Sequence, residues 1–505
     1  MQRLPIGIQD FHKLRTEGYA YVDKTEHIHR VINQAPYLFL SRPRRFGKSL
    51  TVATMAELFR RRKELFEGLW IYNHWDWEAP PNPVIWLKFA KMSYRTRGLA
   101  EAISRQLNSI AEEYGLALDL NLPLKENFAI LIRRLHDTLG RVVILVDEYD
   151  KPLIDFLGDL EQLEDNRVTL KDFYSVIKDS DPYIQTLFLT GVSAFSKVSL
   201  FSDLNNLYNI SLDRSAYHLT GITEQEIDQY FTFWLEDVDR EKMRRWYNGY
   251  SWGSDEKVYN PFSLISFLQG RDYRNYWFET GTPSFLIAAM KQHRYVDVTT
   301  LDATESDLTS FNPSNLHPTS VLFQTGYVTI INRGTDPIYY ELAYPNVEVR
   351  QAMQQYLLSG YLEQPGFSAG GRVFRLVSAL RKRDLKQVFT IANSLFAALP
   401  YDVWKRDDEH YFHAIFHLIF ALSEIYIQSE VHVAGGRCDV LTQFDDYVMA
   451  IEFKRDEPVA AALRQIHERG YLRPFADDGR PVLAVGVRFS MAERQIVDWG
   501  VEEVG

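Results

Sequence analysis

Two groups of residues in this chain have the types and spacing that chemistry on phosphate requires. The first lies in SRPRRFGKSLT, Ser41 to Thr51, where Gly47-Lys48-Ser49 matches the end of the phosphate-loop pattern G-x-x-x-x-G-K-[ST] and Arg42 stands in place of its first glycine. The physics of such a loop survives that change. Backbone N–H groups of the bend Arg44-Arg45-Phe46-Gly47, with the start of the following helix at Lys48, Ser49 and Leu50, can face a β-phosphate. Lys48 neutralises it, and the Ser49 hydroxyl offers an oxygen ligand to Mg²⁺. The arginines of the loop either stiffen it or touch phosphate themselves.

The partner of this loop lies in VVILVDEYD (142–150), which sets Asp147 and Glu148 at the end of an apolar strand. Charge is costly to bury there unless a cation compensates it. Asp147 can hold the magnesium through water, and Glu148 can polarise the water that attacks a γ-phosphate. At the end of the next strand, in FLTGVSAFSK, Thr190 or Ser193 either senses that phosphate or serves a turn.

The second group is carboxyl-terminal. GGRCDV (435–440) and AIEFKR (450–455) flank the turn-like FDDY and read as a hairpin. Period-two alternation puts Glu452 and Lys454 on one face, and Asp439 on the partner strand can join them. Two carboxylates beside a lysine make either a Mg²⁺ site with a lysine that positions the attacking water, or a surface ion-pair cluster. The short [DE]-x-K pattern also occurs at Asp255-Glu256-Lys257 and Asp384-Leu385-Lys386, but only the third copy ends an apolar strand and precedes a helix offering Gln465 and Tyr471. His410 and His413 lack a third ligand at suitable spacing. Cys438 alternates to the face opposite Asp439 and reads as a small core residue.

These residues need elements to hold them. PYLFL (36–40), PVIWLKF (83–89), VVILVDE (142–148), IQTLFLTGV (184–192) and LYNISL (207–212) read as buried strands, and helix-like segments such as 49–66 and 126–139 lie between them. That alternation predicts a parallel α/β sheet with ligands at the carboxyl ends of its strands. From Leu219 the pattern turns helical, with a capping-box start in TEQEIDQYFTFWL (223–235) and an Asn-Pro start in NPFSLISFLQ (260–269). The expected boundaries are 1–215 for the phosphate-loop domain, 216–308 for a helical lid, 309–400 for a small strand-containing module with a helical connector, and 401–505 for a second α/β domain.

Composition bounds the partners. The chain has 505 residues, 46% hydrophobic and 24% charged, so two or three folded domains are expected. Its one cysteine excludes an internal disulfide framework and a Cys-based zinc site, and no apolar run is long enough to cross a bilayer, so the expected location is the cytoplasm with no membrane partner. The net charge of −11 gives no global attraction for DNA or RNA; any nucleic-acid contact must be local. The basic runs 42–45, 60–62 and 381–386 read as such local patches or as solvated faces.

Taken in order, LPIGIQDF, GYAYVDKT (18–25), LSRPRRFGKS, ILVDEYDKPL, LTGVSAFSK, WYNGY and VYNPFS resemble the bacterial AAA-ATPase-like family that carries a C-terminal PD-(D/E)XK nuclease-superfamily domain. The likeness covers nearly the whole chain, and the arginine-rich loop without its first glycine is usual in that family. The resemblance implies a P-loop ATPase core with sheet order 5-1-4-3-2, a helical lid, and the Tyr21 to Thr25 segment near the nucleotide. It implies a nuclease-like α/β domain in which Asp439, Glu452 and Lys454 are the catalytic set, Gln465 is accessory, and Glu409 is either the first-helix acid or an exposed helix-start acid. The expected cofactors are ATP and Mg²⁺, and the expected partner is nucleic acid, DNA ahead of RNA, with a homo-oligomer left open. The competing expectation is a signalling or scaffold ATPase whose nuclease-like domain only binds.

Overall fold

In a computed structural model the chain is described except for residues 1, 195–205, 278–285, 287–289, 291–297, 299, 310–316, 336–337, 362–368, 398–417, 419–439, 445, 478 and 505. It divides into two compact units, one of residues 1–281 with 298–349 and one of 282–297 with 350–505.

The first unit is built on a parallel sheet of β1 (Tyr37–Ser41), β2 (Val84–Lys88), β3 (Val142–Asp147), β4 (Ile184–Gly191) and β5 (Tyr208–Asn209). Their order is β2-β3-β4-β1-β5, which is the expected 5-1-4-3-2. β1 is buried throughout and β3 at all but its last residue, as strands covered on both faces must be. Helices α1 (Lys48–Phe59), α2 (Leu99–Glu113), α3 (Leu124–Leu139) and α4 (Leu160–Asp179) connect them. α2 and α3 bury helical stripes, Leu99-Ile103-Leu107-Ile110 and Phe128-Leu131-Ile132-Leu135. Because β4 lies between β1 and β3, the ends of all three strands meet, with Leu40 paired to Thr190 and Val146 to Leu189.

Two elements differ from expectation. The helix expected over 49–66 stops at Phe59, because Arg61 takes a left-handed backbone (φ 58) and a separate 3-10 turn follows over Lys63–Phe66. The fifth strand is two residues long: beyond Ile210, the Ser211 side chain takes over from the ladder, its Oγ accepting the Ser41 N–H at 2.8 Å.

The lid follows within the same unit as α5 (Glu224–Tyr230), α6 (Arg240–Tyr247) and α7 (Pro261–Gly270). Thr223 and Glu226 form the full capping box at α5, and Asn260 caps α7 with Pro261 at its first position. Gly249 follows α6 with φ 119, and a Cβ there would lie 1.8 Å from the Pro345 carbonyl oxygen, so only glycine admits that approach. Pro345 follows a small antiparallel sheet of β6 (Leu301–Ala303), β7 (Thr329–Thr335) and β8 (Ile338–Ala343), ordered β6-β8-β7.

The second unit contains a mixed sheet of β9 (Val440–Gln443), β10 (Val448–Arg455), β11 (Val482–Ser490) and β12 (Gln495–Glu503), ordered β12-β11-β10-β9, with β10 and β11 parallel. Helix α8 (Val459–Arg469) makes the crossover, and its Leu463 and Ile466 pack on Val448, Ala450 and Ala484. β12 was not anticipated. Gly486 of β11 and Gly500 of β12 pair beneath α8, and a Cβ on Gly486 would come within 2.8 Å of the Val459 carbonyl oxygen. Absent side chains let the helix lie close.

Candidate functional site

The loop after β1 turns sharply into α1. Arg45 (φ 69) and Gly47 (φ 90) both take left-handed backbone, and Gly47 is the N-cap of α1. Lys48 is buried and donates to the carbonyls of Arg42 (2.9 Å) and Pro43 (2.8 Å). Burial pulls its ammonium below the ordinary lysine value, opposed by the charges of Asp147, Asp150 and Glu148. The loop is thus closed on itself by its own lysine.

Arg42 stiffens the loop. Its guanidinium, 1% exposed, donates to the carbonyls of Ser41 (2.9 Å), Ser211 (2.7 Å) and Ala216 (3.0 Å) and stacks 4.0 Å over the Trp252 ring. Burial pulls it down to about 9. Phe46 turns its ring edge-on to Tyr250 and Trp252, while the exposed Arg45 lies over Phe262 and Arg44 offers its carbonyl to the Trp277 indole at 3.2 Å. Aromatic residues of the lid side thus grip the loop.

Opposite stand the ends of β3 and β4. Asp147 accepts the Thr190 hydroxyl at 3.0 Å, so Thr190, fully buried, reaches the acid on β3. Glu148 has φ 57, a left-handed conformation that costs a non-glycine residue on the order of 1–2 kcal/mol. Asp150, quoted in the strand-end motif but given no role, is 1% exposed; its Oδ2 accepts the backbone N–H groups of Val192 (2.9 Å) and Ser193 (2.6 Å). Burial pushes its carboxyl up to about 6, against the pull of those amides and of Lys48. Tyr149 donates to the Ser193 carbonyl at 2.7 Å, so β3 and the turn after β4 move as one piece.

Lys48, Ser49, Glu148 and Asp150 line a cavity of about 430 Å³, within the range of small-molecule sites, whereas Asp147 and Thr190 are not among its lining residues. Its polar wall holds Arg44 to Thr51, Glu148 and Asp150; the N-terminal segment, Tyr21, Val22 and lid residues including Phe231 and Phe262 complete it. Lys24, also on this wall, is buried and bonded to both oxygens of Glu226 at 2.5 and 2.7 Å. Burial pulls Lys24 down while Glu226 holds it up. Asp23 accepts the Thr25 and Trp70 N–H groups at 2.9 and 2.6 Å, fixing that segment. No signal in the local sequence joins Lys24 to a glutamate 202 positions away.

In the second unit, Glu452 is 3% exposed and Lys454 partly exposed, on the same face of β10. Gln465 of α8 links them: its amide donates to Glu452 Oε1 and its carbonyl accepts from Lys454 Nζ at 2.6 Å, with the lysine 3.6 Å from the same carboxylate. Asp439, Cys438, Glu409, His410 and His413 lie outside the described residues, although β9 begins at Val440, paired with Ile451. The two other [DE]-x-K copies are structural: Lys257 donates to the Ile330 carbonyl, and Asp384 caps a helix by accepting the Gln387 N–H.

A phosphate-loop α/β core with a lid and a separate mixed-sheet unit carrying Glu-x-Lys define the class. Comparison with known proteins agrees. Residues 5–201 match the family model described as predicted AAA-ATPase, and 407–499 match that of the PD-(D/E)XK nuclease superfamily. The chain is 40% identical over 521 residues to a protein of Azotobacter chroococcum mcd 1 described as an uncharacterized protein in the vnfD 5′ region, covering 100% of this chain and 99% of that one. No solved structure matches the chain significantly. The chain belongs to the AAA-ATPase-like family with a C-terminal PD-(D/E)XK nuclease-superfamily domain. Among the described residues, no helix is long and apolar enough to cross a membrane.

Proposed function

We propose that the first unit binds and hydrolyses ATP and that the second is a metal-dependent phosphodiesterase acting on nucleic acid, DNA ahead of RNA. One observation carries the nucleotide reading: Lys48, Ser49 and Glu148 line a single cavity large enough for a small ligand, with Asp147 held beside them by Thr190. The donor set fits Mg²⁺–ATP, since Ser49 and Asp147 offer the oxygen ligands that this ion prefers. Magnesium bound with the nucleotide neutralises phosphate charge.

The chain's own residues do the rest. Backbone N–H groups at the start of α1 face the phosphates, and Lys48 exchanges the Arg42 and Pro43 carbonyls for phosphate oxygen. Glu148 orients the attacking water and takes its proton, and Thr190 acts by positioning Asp147. In the second unit, Gln465 fixes Glu452 and Lys454 against each other; Glu452 is the carboxylate that would hold a divalent ion, with Asp439 as its expected companion, and Lys454 positions water at the phosphodiester.

The test is kinetic. Lys48→Ala in the full chain should lower ATP hydrolysis about 100-fold or more, the loss typical of removing a charge-stabilising group. Glu452→Ala should abolish Mg²⁺-dependent cleavage of DNA and spare ATP hydrolysis. Unchanged hydrolysis in the first variant removes the nucleotide site. DNA binding by wild type without cleavage, on any single- or double-stranded substrate, would leave the scaffold reading in its place.

A further inference from the structure

We propose that Arg488 of β11 binds a backbone phosphate of DNA beside Lys454, an inference that rests on the phosphodiesterase reading of the second unit. The sheet register puts it there. On the parallel pair β10–β11, Gly486 is the partner of Glu452 and Arg488 that of Lys454, so the two cations stand on neighbouring strands spaced roughly 4.8 Å apart. They also share a face. Gly486, two positions before Arg488, lies under α8, the helix that brings Gln465 to Glu452 and Lys454. Phe489, the next residue, is buried on the other face, its ring 5.1 Å from that of Phe396.

The charges on that face call for an anion. Lys454 already donates to Gln465 and lies 3.6 Å from Glu452, whereas Arg488 is exposed and has no hydrogen bond or ion pair among the described residues. Asp498 is its cross-strand partner on β12, and even this carboxylate is not bonded to it. Like charges side by side on a sheet repel, so the fold keeps two cations together where one anion would bridge them. A guanidinium suits phosphate, because it stays charged and its planar fork matches two phosphate oxygens. Which phosphate it meets follows from the strand order β12-β11-β10-β9. Glu452 is on β10 and the expected Asp439 precedes β9, so β11 lies on the side away from the acids proposed to hold the metal. Arg488 therefore takes a phosphate flanking the one attacked. In a chain of net charge −11, DNA is held by local contacts of this kind.

Arg488→Gln removes the charge and Arg488→Lys keeps it. In the full-length protein, binding of a double-stranded DNA oligonucleotide is measured by fluorescence anisotropy over a series of salt concentrations, with Mg²⁺-dependent cleavage and thermal melting alongside. Arg488→Gln should weaken binding at low salt by about tenfold, the loss expected for one charge-assisted hydrogen bond. It should also flatten the plot of log affinity against log salt by about 0.9, the counterion release of one phosphate contact. A flanking phosphate is held equally before and during the reaction, so KM should rise about tenfold with kcat unchanged. Arg488→Lys should keep the wild-type salt slope. With no partner to lose, both variants should melt at the wild-type temperature. An unchanged salt slope in Arg488→Gln, a loss in kcat with KM unchanged, or a lower melting temperature each overturn the inference. If wild type binds DNA without cutting it, the phosphodiesterase reading falls and the salt slope alone decides the role of Arg488. Wild-type protein that neither binds nor cuts DNA overturns both.

Discussion

At the scale of single residues, buried charge shapes the proposed nucleotide site. Asp150 is held up at about 6 by burial, above the value of roughly 3.9 for a free aspartate. Between these values the folded chain keeps a proton that the unfolded chain has released, so stability falls as pH rises through that window. An asparagine side chain in its place would not titrate, and its oxygen could still accept the Val192 and Ser193 amides. Asp150→Asn should therefore gain on wild type by about 3 kcal/mol between pH 4 and pH 7, read from urea denaturation of both proteins. Parallel pH curves would rule this out. Arg42 sets up a second expectation. Arg42→Gly restores the consensus glycine, yet it strips the Ser211 and Ala216 carbonyls of their charged donor and Trp252 of its cation. It should cost several kcal/mol of stability and weaken ATP binding; a variant that binds ATP better would show that the guanidinium is dispensable. That Lys48, Ser49 and Glu148 share one cavity was legible because their signal is local, a short pattern at a strand end; that Asp147 is not on its wall was not. The tether of Arg42, the acceptor role of Asp150 and the pairing of Lys24 were not, since each depends on a partner that only the tertiary fold brings near.

At the scale of elements, the order of the strands came from the family resemblance alone, whereas the strands of the parallel sheet and the lid caps were readable, because parallel strands buried on both faces are continuous apolar runs and helix starts carry Thr223–Glu226 or Asn260–Pro261. β12 was not, for the opposite reason. It is an edge strand with most residues partly or fully exposed and no continuous apolar run: Val497, Trp499 and Val501 alternate with Asp498, Gly500 and Glu502, a short period-two signal that contains a glycine and stops at Glu503. Its Gly500 nevertheless pairs with Gly486 under α8, and that close approach decides where Gln465 stands. Gly486→Ala drives a Cβ to 2.8 Å from the Val459 carbonyl oxygen and 2.9 Å from Leu463 Cγ, so α8 must lift. Misplacement of this order costs roughly 100-fold in rate, so cleavage of DNA should fall by that amount with ATP hydrolysis intact. Wild-type cleavage rates in the variant would disconnect the helix position from the site.

At the scale of the whole molecule, the two compact units have their own cores, around Leu38, Val143 and Phe188 in the first and Val448, Ile466 and Ala484 in the second. Differential scanning calorimetry should resolve two transitions. ATP at about a hundred times its dissociation constant adds about 2.7 kcal/mol to the unit that binds it, which should raise one transition by several degrees and leave the other in place. A single transition, or equal shifts of both, would contradict independent melting. The Lys24–Glu226 pair also bears on how the protein is made. Lys24 leaves the ribosome early, while its carboxylate partner and the lid wall behind it emerge some two hundred residues later. During that interval the phosphate loop and its acids are already synthesised, but an ammonium destined for burial has no counterion. On the reading proposed above, a nascent chain therefore cannot enclose its ligand until the lid has been translated, long after the phosphate loop and its acids have left the ribosome.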